Sequence, residues 1–215
     1  MAELIGAYGI EPTSDKAFFE NADVTTYVAS HSKNPIPLKV PLVIAGLGST
    51  AVARRHWDAM AKGAAISGII QTVGENVCGM AHESTYSNGK VTRSPDLEFR
   101  VNSFRELWDG KHGGIAVQTN VEDQRGGLDE YALSKLEVDI MERKWGQGAK
   151  AIGSEVRLTT LERALELKKR GYMVLPDPED KDVQEAFKNG AFKSFESILA
   201  WDSLSTSRSS RMSRT

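Results

Sequence analysis

Short apolar runs alternate with amphipathic segments along much of the chain. Residues 40–45 form a short apolar run, residues 69–73 and 114–119 are further segments of strand length, and the first two segments are each followed by a glycine. Runs of this kind are typical of buried strands. Between the first two runs, residues 51–66 place apolar side chains at the spacing of one helix face.

The second half of the chain continues this alternation. Its predicted elements are a strand over 138–145, a helix from Thr159 or Thr160 to Arg170, a strand over 172–175, and helices near 180–189 and 192–201. The long polar connection 76–112 contains a predicted turn at 86–89 and a short helix at 103–108. Five strands alternating with helices predict crossover connections and one parallel sheet.

The two ends of the chain differ in composition from the middle. Residues 1–37 form an N-terminal arm without sustained periodicity, closed by Pro35 and Pro37. Residues 203–215 contain six Ser and three Arg, a composition that predicts a disordered tail. The abrupt change after Trp201 indicates either a domain interrupted within its fold, by truncation or frame-shift, or a natural regulatory tail.

Composition and charge favour a cytoplasmic α/β protein without a nucleic-acid or membrane partner. The 27 Lys and Arg residues nearly balance the 29 Asp and Glu residues, which disfavours nucleic-acid binding through global positive charge. No apolar run approaches the roughly 20 residues that span a bilayer, and no signal peptide is evident. Cys78 is the single cysteine, which excludes an internal disulfide, and the four histidines lack metal-ligand spacing.

A glycine-containing turn follows the first strand and begins the first helix. Gly46, Gly48 and Ala51 fit the pattern G-x-G-x-x-A of a dinucleotide-binding turn, in which backbone N–H groups approach a pyrophosphate. Glu75, after the second strand, lies slightly late for the acidic residue that binds ribose in such sites. The alternative is a tight turn in which Ser49 or Thr50 caps the helix.

Two further polar clusters follow predicted strands. Glu75 and Asn76 end the segment 72–76, where they either hold an amine or polar ring edge or form a solvated loop. Cys78 is interpreted as a small buried thiol rather than a nucleophile. In the segment 144–150, Lys144 and Gln147 either bind a carboxylate, phosphate or reduced ring, or belong to a glycine-hinged loop.

The segments 72–76, 113–123 and 144–150, taken together and in order, resemble the FMN-binding synthase domain of glutamate synthases. Lys144-Trp145-Gly146-Gln147-Gly148-Ala149-Lys150 resembles the K-x-x-Q-G-A-K segment of that family. The resemblance covers roughly residues 40–200 and is strongest to the branch that contains the large subunit of methylamine–glutamate N-methyltransferase. It implies a partial (β/α)₈ TIM barrel over residues 38–202, with about the first five of eight strands.

The resemblance also implies a chemistry and a set of site residues. Ammonia or an amine such as methylamine adds to a 2-oxo acid, and FMN reduces the imine to glutamate or N-methylglutamate. Lys144, Gln147 and Glu75 are the implied catalytic residues. The implied FMN-binding positions are Gly46, Gly48, Ser49, Thr72, Gly74 and Lys144.

The departures from the family pattern matter for activity. Glutamate synthases usually have T-G-E-G-G where this chain has Thr72-Val73-Gly74-Glu75-Asn76, and the cysteines of their iron–sulfur cluster are absent. The family's phosphate-binding glycines belong to later strands, beyond residue 201. Family membership also implies a glutaminase-like partner subunit, and an incomplete sheet predicts an exposed edge near the fifth strand and hence oligomers.

Two alternatives to the synthase interpretation stay open at this point. One is an NAD(P)-type nucleotide-binding domain that uses Gly46, Gly48 and Glu75. The other is a non-catalytic half-barrel that needs a partner chain to supply further strands.

Overall fold

The computed structural model of the protein describes residues 23–144 and 155–198, which form a mixed α/β fold. The strands in this part of the chain are β1 (Thr26–Val28), β2 (Ile36–Leu38), β3 (Val43–Leu47), β4 (Ile70–Val73), β5 (Thr85–Ser87), β6 (Lys90–Arg93), β7 (Gly114–Thr119), β8 (Ile140–Arg143), β9 (Glu155–Leu158), β10 (Met173–Leu175) and β11 (Phe195–Ile198). The helices are α1 (Ala51–Ser67), α2 (Val77–Met80), α3 (Pro95–Arg105), α4 (Val121–Arg125), α5 (Leu128–Ser134), α6 (Leu161–Lys169) and α7 (Lys181–Lys188).

The main sheet has four parallel strands in the order β3-β4-β7-β8. Each strand lies beside the one that precedes it in this sheet, so every crossover moves in the same direction. Because parallel crossovers are right-handed, the connecting helices all pack on one face of the sheet. The predicted parallel sheet is therefore present, with four strands in place of five.

Helix packing on this face forms the larger hydrophobic core. Trp57 of α1, Phe104 of α3 and Leu128 of α5 are buried against Val73 and Val117 of the sheet. Trp57 is fully buried, and its indole N–H donates to the carbonyl of Arg100 at 2.9 Å. The amphipathic pattern of residues 51–66 thus predicts α1 almost to the residue.

The opposite face of the sheet has a smaller core. Ile70 of β4, Ala116 of β7 and Ile140 of β8 lie on this face, because the register pairs Thr72 with Ala116 and Ala116 with Ile140, and side chains alternate along each strand. The antiparallel pair β1–β2 covers the amino-terminal end of this face and packs Leu38 against these side chains. The later residues of the N-terminal arm are therefore part of the fold.

The fifth predicted strand belongs to a different sheet, and this corrects the sequence prediction. Residues 173–175 form β10, which pairs antiparallel with β11 in a three-stranded sheet of order β10-β11-β9. The predicted helix near 192–201 is wrong for residues 195–198, which form β11. Phe195 and Ser197 are both fully buried on either side of half-buried Glu196, a period of two residues that a strand produces.

This correction also moves the exposed edges of the main sheet. In the described part of the chain, the edges are β3 and β8, and neither is formed by residues 173–175. The fourth strand is shorter than predicted, since β8 spans Ile140–Arg143 and Trp145 lies outside the described residues.

The connection 76–112 is more regular than its polar composition predicts. It contains α2, the hairpin β5–β6 and the helix α3, which begins at Pro95 rather than near residue 103. The predicted turn is confirmed, because Asn88 and Gly89 adopt φ angles of 50° and 74° between β5 and β6. No helix in the described part of the chain is long and apolar enough to cross a membrane.

Candidate functional site

Three polar segments meet at the carboxyl-terminal edge of the main sheet. Glu75 follows β4, Asn120 follows β7, and Lys144 follows β8. Parallel strands end at the same edge, and binding sites of parallel α/β proteins gather there. We refer to this edge, from Gly46 to Lys144, as the rim.

The rim brings together two residues that the sequence predicts for the site, 69 positions apart. The Lys144 ammonium donates to Glu75 Oε1 at 3.0 Å, across the end of β7. The main chain of Lys144 is fixed as well, because its N–H donates to the carbonyl of Thr119 at 2.8 Å. The Lys144 side chain is 27% exposed and that of Glu75 is 14% exposed, so this pair is partly desolvated but accessible.

A second polar pair lies beside the first on the same sheet face. Gln118 pairs with Glu142 in the register of β7 and β8, and its amide donates to Glu142 Oε1 at 2.6 Å. Thr72 lies on this face too, buried in β4. Gln118 and Glu142 were not predicted as site residues. The signal for them is that each lies two positions after an apolar residue, Ala116 or Ile140, on the same strand face, where the side chains change from apolar to polar.

The predicted glycines of the rim allow two backbone segments to approach closely. A Cβ added to Gly74 would lie 2.6 Å from the main-chain nitrogen of Gly48, and one added to Gly48 would lie 2.8 Å from the carbonyl oxygen of Glu75. The Gly74 N–H donates to the carbonyl of Leu47 at 2.9 Å. A Cβ on Gly46 would meet Gln118 Oε1 at 3.1 Å. The space at Gly48 and Gly74 is therefore filled by this chain's own backbone.

The turn from β3 to α1 ends in an ordinary helix cap. Thr50 is the N-cap residue, and its hydroxyl accepts from the N–H of Ala53 at 3.2 Å. Ser49, the other residue predicted to cap the helix or to contact a cofactor, is exposed and precedes the cap. The sequence left two interpretations of this turn, a dinucleotide-binding turn and a tight turn with a helix cap, and the cap is present at Thr50.

Asn76 joins three parts of the structure beneath the rim. Its side-chain oxygen accepts from the amide of Asn120 at 2.9 Å and from the hydroxyl of Tyr172 at 3.3 Å. Its main-chain N–H donates to Asp123 at 2.9 Å, and it adopts a left-handed φ of 66°. Asn76 is buried, so the alternative of a solvated loop does not hold for this residue.

Asp123 is the most perturbed carboxyl group near the rim. It is buried and accepts from the N–H groups of Asn76 and Asn120, while Asn120 and Asp123 form a capping box at the start of α4. Burial raises the pKa of Asp123 to about 7, and the negative charges of Glu75 and Glu122 add to this shift. The hydrogen bonds from the two backbone N–H groups act in the opposite direction.

The antiparallel sheet with α6 is attached to the segment 76–86 by cations and one tyrosine. Arg170 donates to the carbonyls of Gly79, Ala81 and Ser84 and lies over the ring of Tyr86. Tyr172 enters a space that exists because residue 79 is a glycine, since a Cβ there would overlap its hydroxyl. These contacts hold the smaller sheet close to the rim.

Cys78 and Gln147 complete the predicted residues. The Cys78 thiol is buried, and burial raises its pKa, so it lacks the thiolate character of a nucleophile and its interpretation as a buried thiol is confirmed. Gln147, Gly146 and Gly148 lie outside the described residues. Among residues 23–144 and 155–198, no three metal-ligating side chains come together.

Comparisons of the chain with protein-family models, with curated proteins and with solved structures found no match in any of the three. The family expected from the sequence motifs therefore stays a proposal.

Proposed function

We propose that this chain forms the first half of a (β/α)₈ barrel of the glutamate synthase type, whose rim binds FMN and a 2-oxo acid. The observation that carries this proposal is the Lys144–Glu75 pair at the carboxyl end of a sheet with strictly sequential strand order. Active sites of (β/α)₈ barrels lie at this end of the strands.

Strand order supports a barrel over a doubly wound nucleotide-binding domain. In a doubly wound sheet the strand order reverses, and the ligand binds where it does. The order β3-β4-β7-β8 contains no reversal among the described strands. Glu75, which an NAD(P) site would use for a ribose hydroxyl, is instead engaged with Lys144 at 3.0 Å.

The change of polarity along the sheet face opposite the helices gives further support. Toward its amino-terminal end this face carries apolar Ile70, Ala116 and Ile140, and the β1–β2 pair covers them. Closer to the rim it carries Gln118 and Glu142, which lie opposite each other in the register. Barrel interiors are filled by side chains, and the functional groups lie at the carboxyl end.

The rim residues fit the polar edge of a flavin ring. Lys144 offers a cation, while the Gln118 amide and the Thr72 hydroxyl lie on the same sheet face. Bound FMN would supply the hydride that reduces an imine. Gly48 and Gly74 leave no open space for FMN, because this chain's own backbone fills it. Lys144 and Gln118 are therefore the side chains proposed to hold the ring.

The chain's own part in the reaction is electrostatic. Lys144 would pair with a carboxylate of the 2-oxo acid or with negative charge on the ring, and it is already oriented by Glu75. Because the pair is partly desolvated, this attraction is stronger than in bulk water. The amine donor, ammonia or methylamine, would reach the site through a glutaminase-like partner subunit, and Gln147 stays a prediction.

Titration of FMN into the protein, followed by flavin fluorescence, tests this proposal. We expect FMN to bind, the Lys144→Met variant to bind at least about tenfold more weakly, and NADH not to compete. Arg143→Met is the matched control, since Arg143 is the adjacent cation and pairs with Asp129 at 2.7 Å instead. Its affinity for FMN should equal that of the wild type.

Removing Lys144 also leaves the Glu75 carboxylate without this cation, so a second variant separates the two effects. Glu75→Gln keeps the cation and should retain FMN binding. A folded protein that binds no FMN, or a Lys144→Met variant that binds it as tightly as the wild type, contradicts the proposal. The first of these outcomes would favour a non-catalytic half-barrel.

A further inference from the structure

The main sheet ends in two unpaired strands in the described part of the chain, β3 on one side and β8 on the other. Both run parallel to the strand beside them. An unpaired edge presents N–H and C=O groups that can pair with another chain, and soluble proteins usually protect such edges. Each edge can therefore accept one more parallel strand.

The flank formed by β3 and α1 is apolar as well as unpaired. Leu42, just before β3, and Val43, its first residue, are 58% and 59% exposed. Val52 and Ile66 on α1 are also exposed, and they lie about four helical turns apart on one face of the helix. These are four of the ten large apolar side chains that are exposed in the described part of the chain.

The exposed face of α1 is smooth enough to accept another helix. Between Val52 and Ile66 it carries exposed Ala59 and Gly63, and a Cβ at Gly63 would meet nothing within 4 Å. The other side of α1 packs against α3 and β4. A strand edge and a helix face are thus left open together, which is the surface that one further strand–helix unit would cover.

We propose that two copies of this chain close one eight-stranded barrel, with β3 and α1 of each copy docked on β8 and α5 of the other. The inference rests on the barrel architecture of the proposed function. Four parallel strands per copy give the eight that a barrel of this type requires. A two-fold axis along the barrel keeps all strands parallel and makes the two junctions identical, so the ring closes.

The α5 flank has features that match the α1 flank. Leu133 on α5 is half exposed and offers an apolar side chain to the Val52–Ile66 face. Exposed Arg55 on α1 and exposed Glu130 on α5 carry opposite charges. A second copy therefore fits this flank in both polarity and charge.

The second copy would complete the candidate site. In the closed barrel both rims lie at the same end, and each Lys144–Glu75 pair faces the shared interior. One copy alone leaves Glu142 exposed at the β8 edge, beside the Gln118 amide. The proposed ligand would therefore be enclosed only in the dimer.

Size-exclusion chromatography with light scattering, without FMN, tests the inference. We expect the wild type to have twice the 23.6 kDa mass of one chain. Gly63→Lys and Val43→Lys should each give folded monomers, because both positions are open in one chain but blocked by bulk and charge at the junction. Leu175→Lys, at an exposed apolar position of the antiparallel sheet and on neither flank, is the control and should stay a dimer.

A monomeric wild type overturns the inference. So does a finding that both junction variants, Gly63→Lys and Val43→Lys, stay dimers. A series of masses above that of the dimer also overturns it, because it indicates open-ended assembly instead of a closed ring. Circular dichroism and a cooperative melt of the monomeric variants exclude simple unfolding. The proposed function fails separately: a wild-type dimer that binds no FMN refutes the flavin site and leaves the half-barrel dimer intact.

Discussion

Replacing Asp123 with asparagine should remove a pH dependence of stability that the wild type possesses. The Asp123 carboxyl is fully buried and has a pKa of about 7 in the folded protein, against 3.8 when exposed. Between these values the folded state holds a proton that the unfolded state has released. Stability therefore falls as the pH rises from about 4 to about 7.

The size of the effect follows from the two pKa values. Each unit of difference corresponds to about 1.4 kcal/mol, so the full change from pH 4 to pH 7 is on the order of 4 kcal/mol. Between about pH 5 and about pH 8 the expected decrease is about 3 kcal/mol. An asparagine oxygen can accept the same N–H groups from Asn76 and Asn120 without a titrating proton.

Urea denaturation of both proteins at about pH 5 and about pH 8 gives the comparison. Titrating groups that do not interact with Asp123 contribute equally to the wild type and to Asp123→Asn, so the difference between the two pH profiles reports Asp123 together with its coupling to Glu75 and Glu122. We expect the wild type to lose about 3 kcal/mol more than the variant over this range. Parallel profiles, or a wild type that gains stability relative to the variant at about pH 8, would refute the burial argument.

Two further substitutions test the packing around the rim. Gly79→Ala should lower the free energy of unfolding by about 1–3 kcal/mol in urea melts, because its Cβ overlaps the Tyr172 hydroxyl, and Tyr172→Phe in the same background should recover part of the loss. Full stability of Gly79→Ala would place Tyr172 elsewhere. Arg100→Met should lower the free energy of unfolding by about 3–5 kcal/mol in the same assay, because buried Arg100 donates to the Leu47 carbonyl at 3.0 Å and faces buried Asp96. A decrease below about 1 kcal/mol is inconsistent with that role.

The parallel sheet could be predicted from the sequence because its strands are encoded locally. Residues 70–73 are all buried, and residues 114–119 are almost entirely so, and their β-branched and other apolar side chains are the local signal for a buried strand. The antiparallel sheet could not be predicted in the same way. Its strands β9, β10 and β11 are short and widely separated, and their pairing depends on contacts that periodicity does not encode.

The strand-end positions of Glu75 and Lys144 could be predicted from the sequence, but their surroundings could not. Because both residues follow parallel strands, Glu75 and Lys144 were expected at one edge, and they lie 3.0 Å apart there. The buried links from Asn76 to Asp123 and Tyr172 span 47 and 96 residues, which no local pattern reports. Gln118 and Glu142 become meaningful only once the register shows that they are opposite each other.

A crystal structure of the protein grown with FMN tests the central claim most directly. We expect the flavin ring to lie against the sheet face that carries Thr72 and Gln118, with its polar edge within hydrogen-bond distance of Lys144 Nζ. A flavin bound at another place, although the rim is accessible in the crystal, would contradict the claim. A nucleotide bound at the turn 46–51, away from Lys144, would contradict it as well.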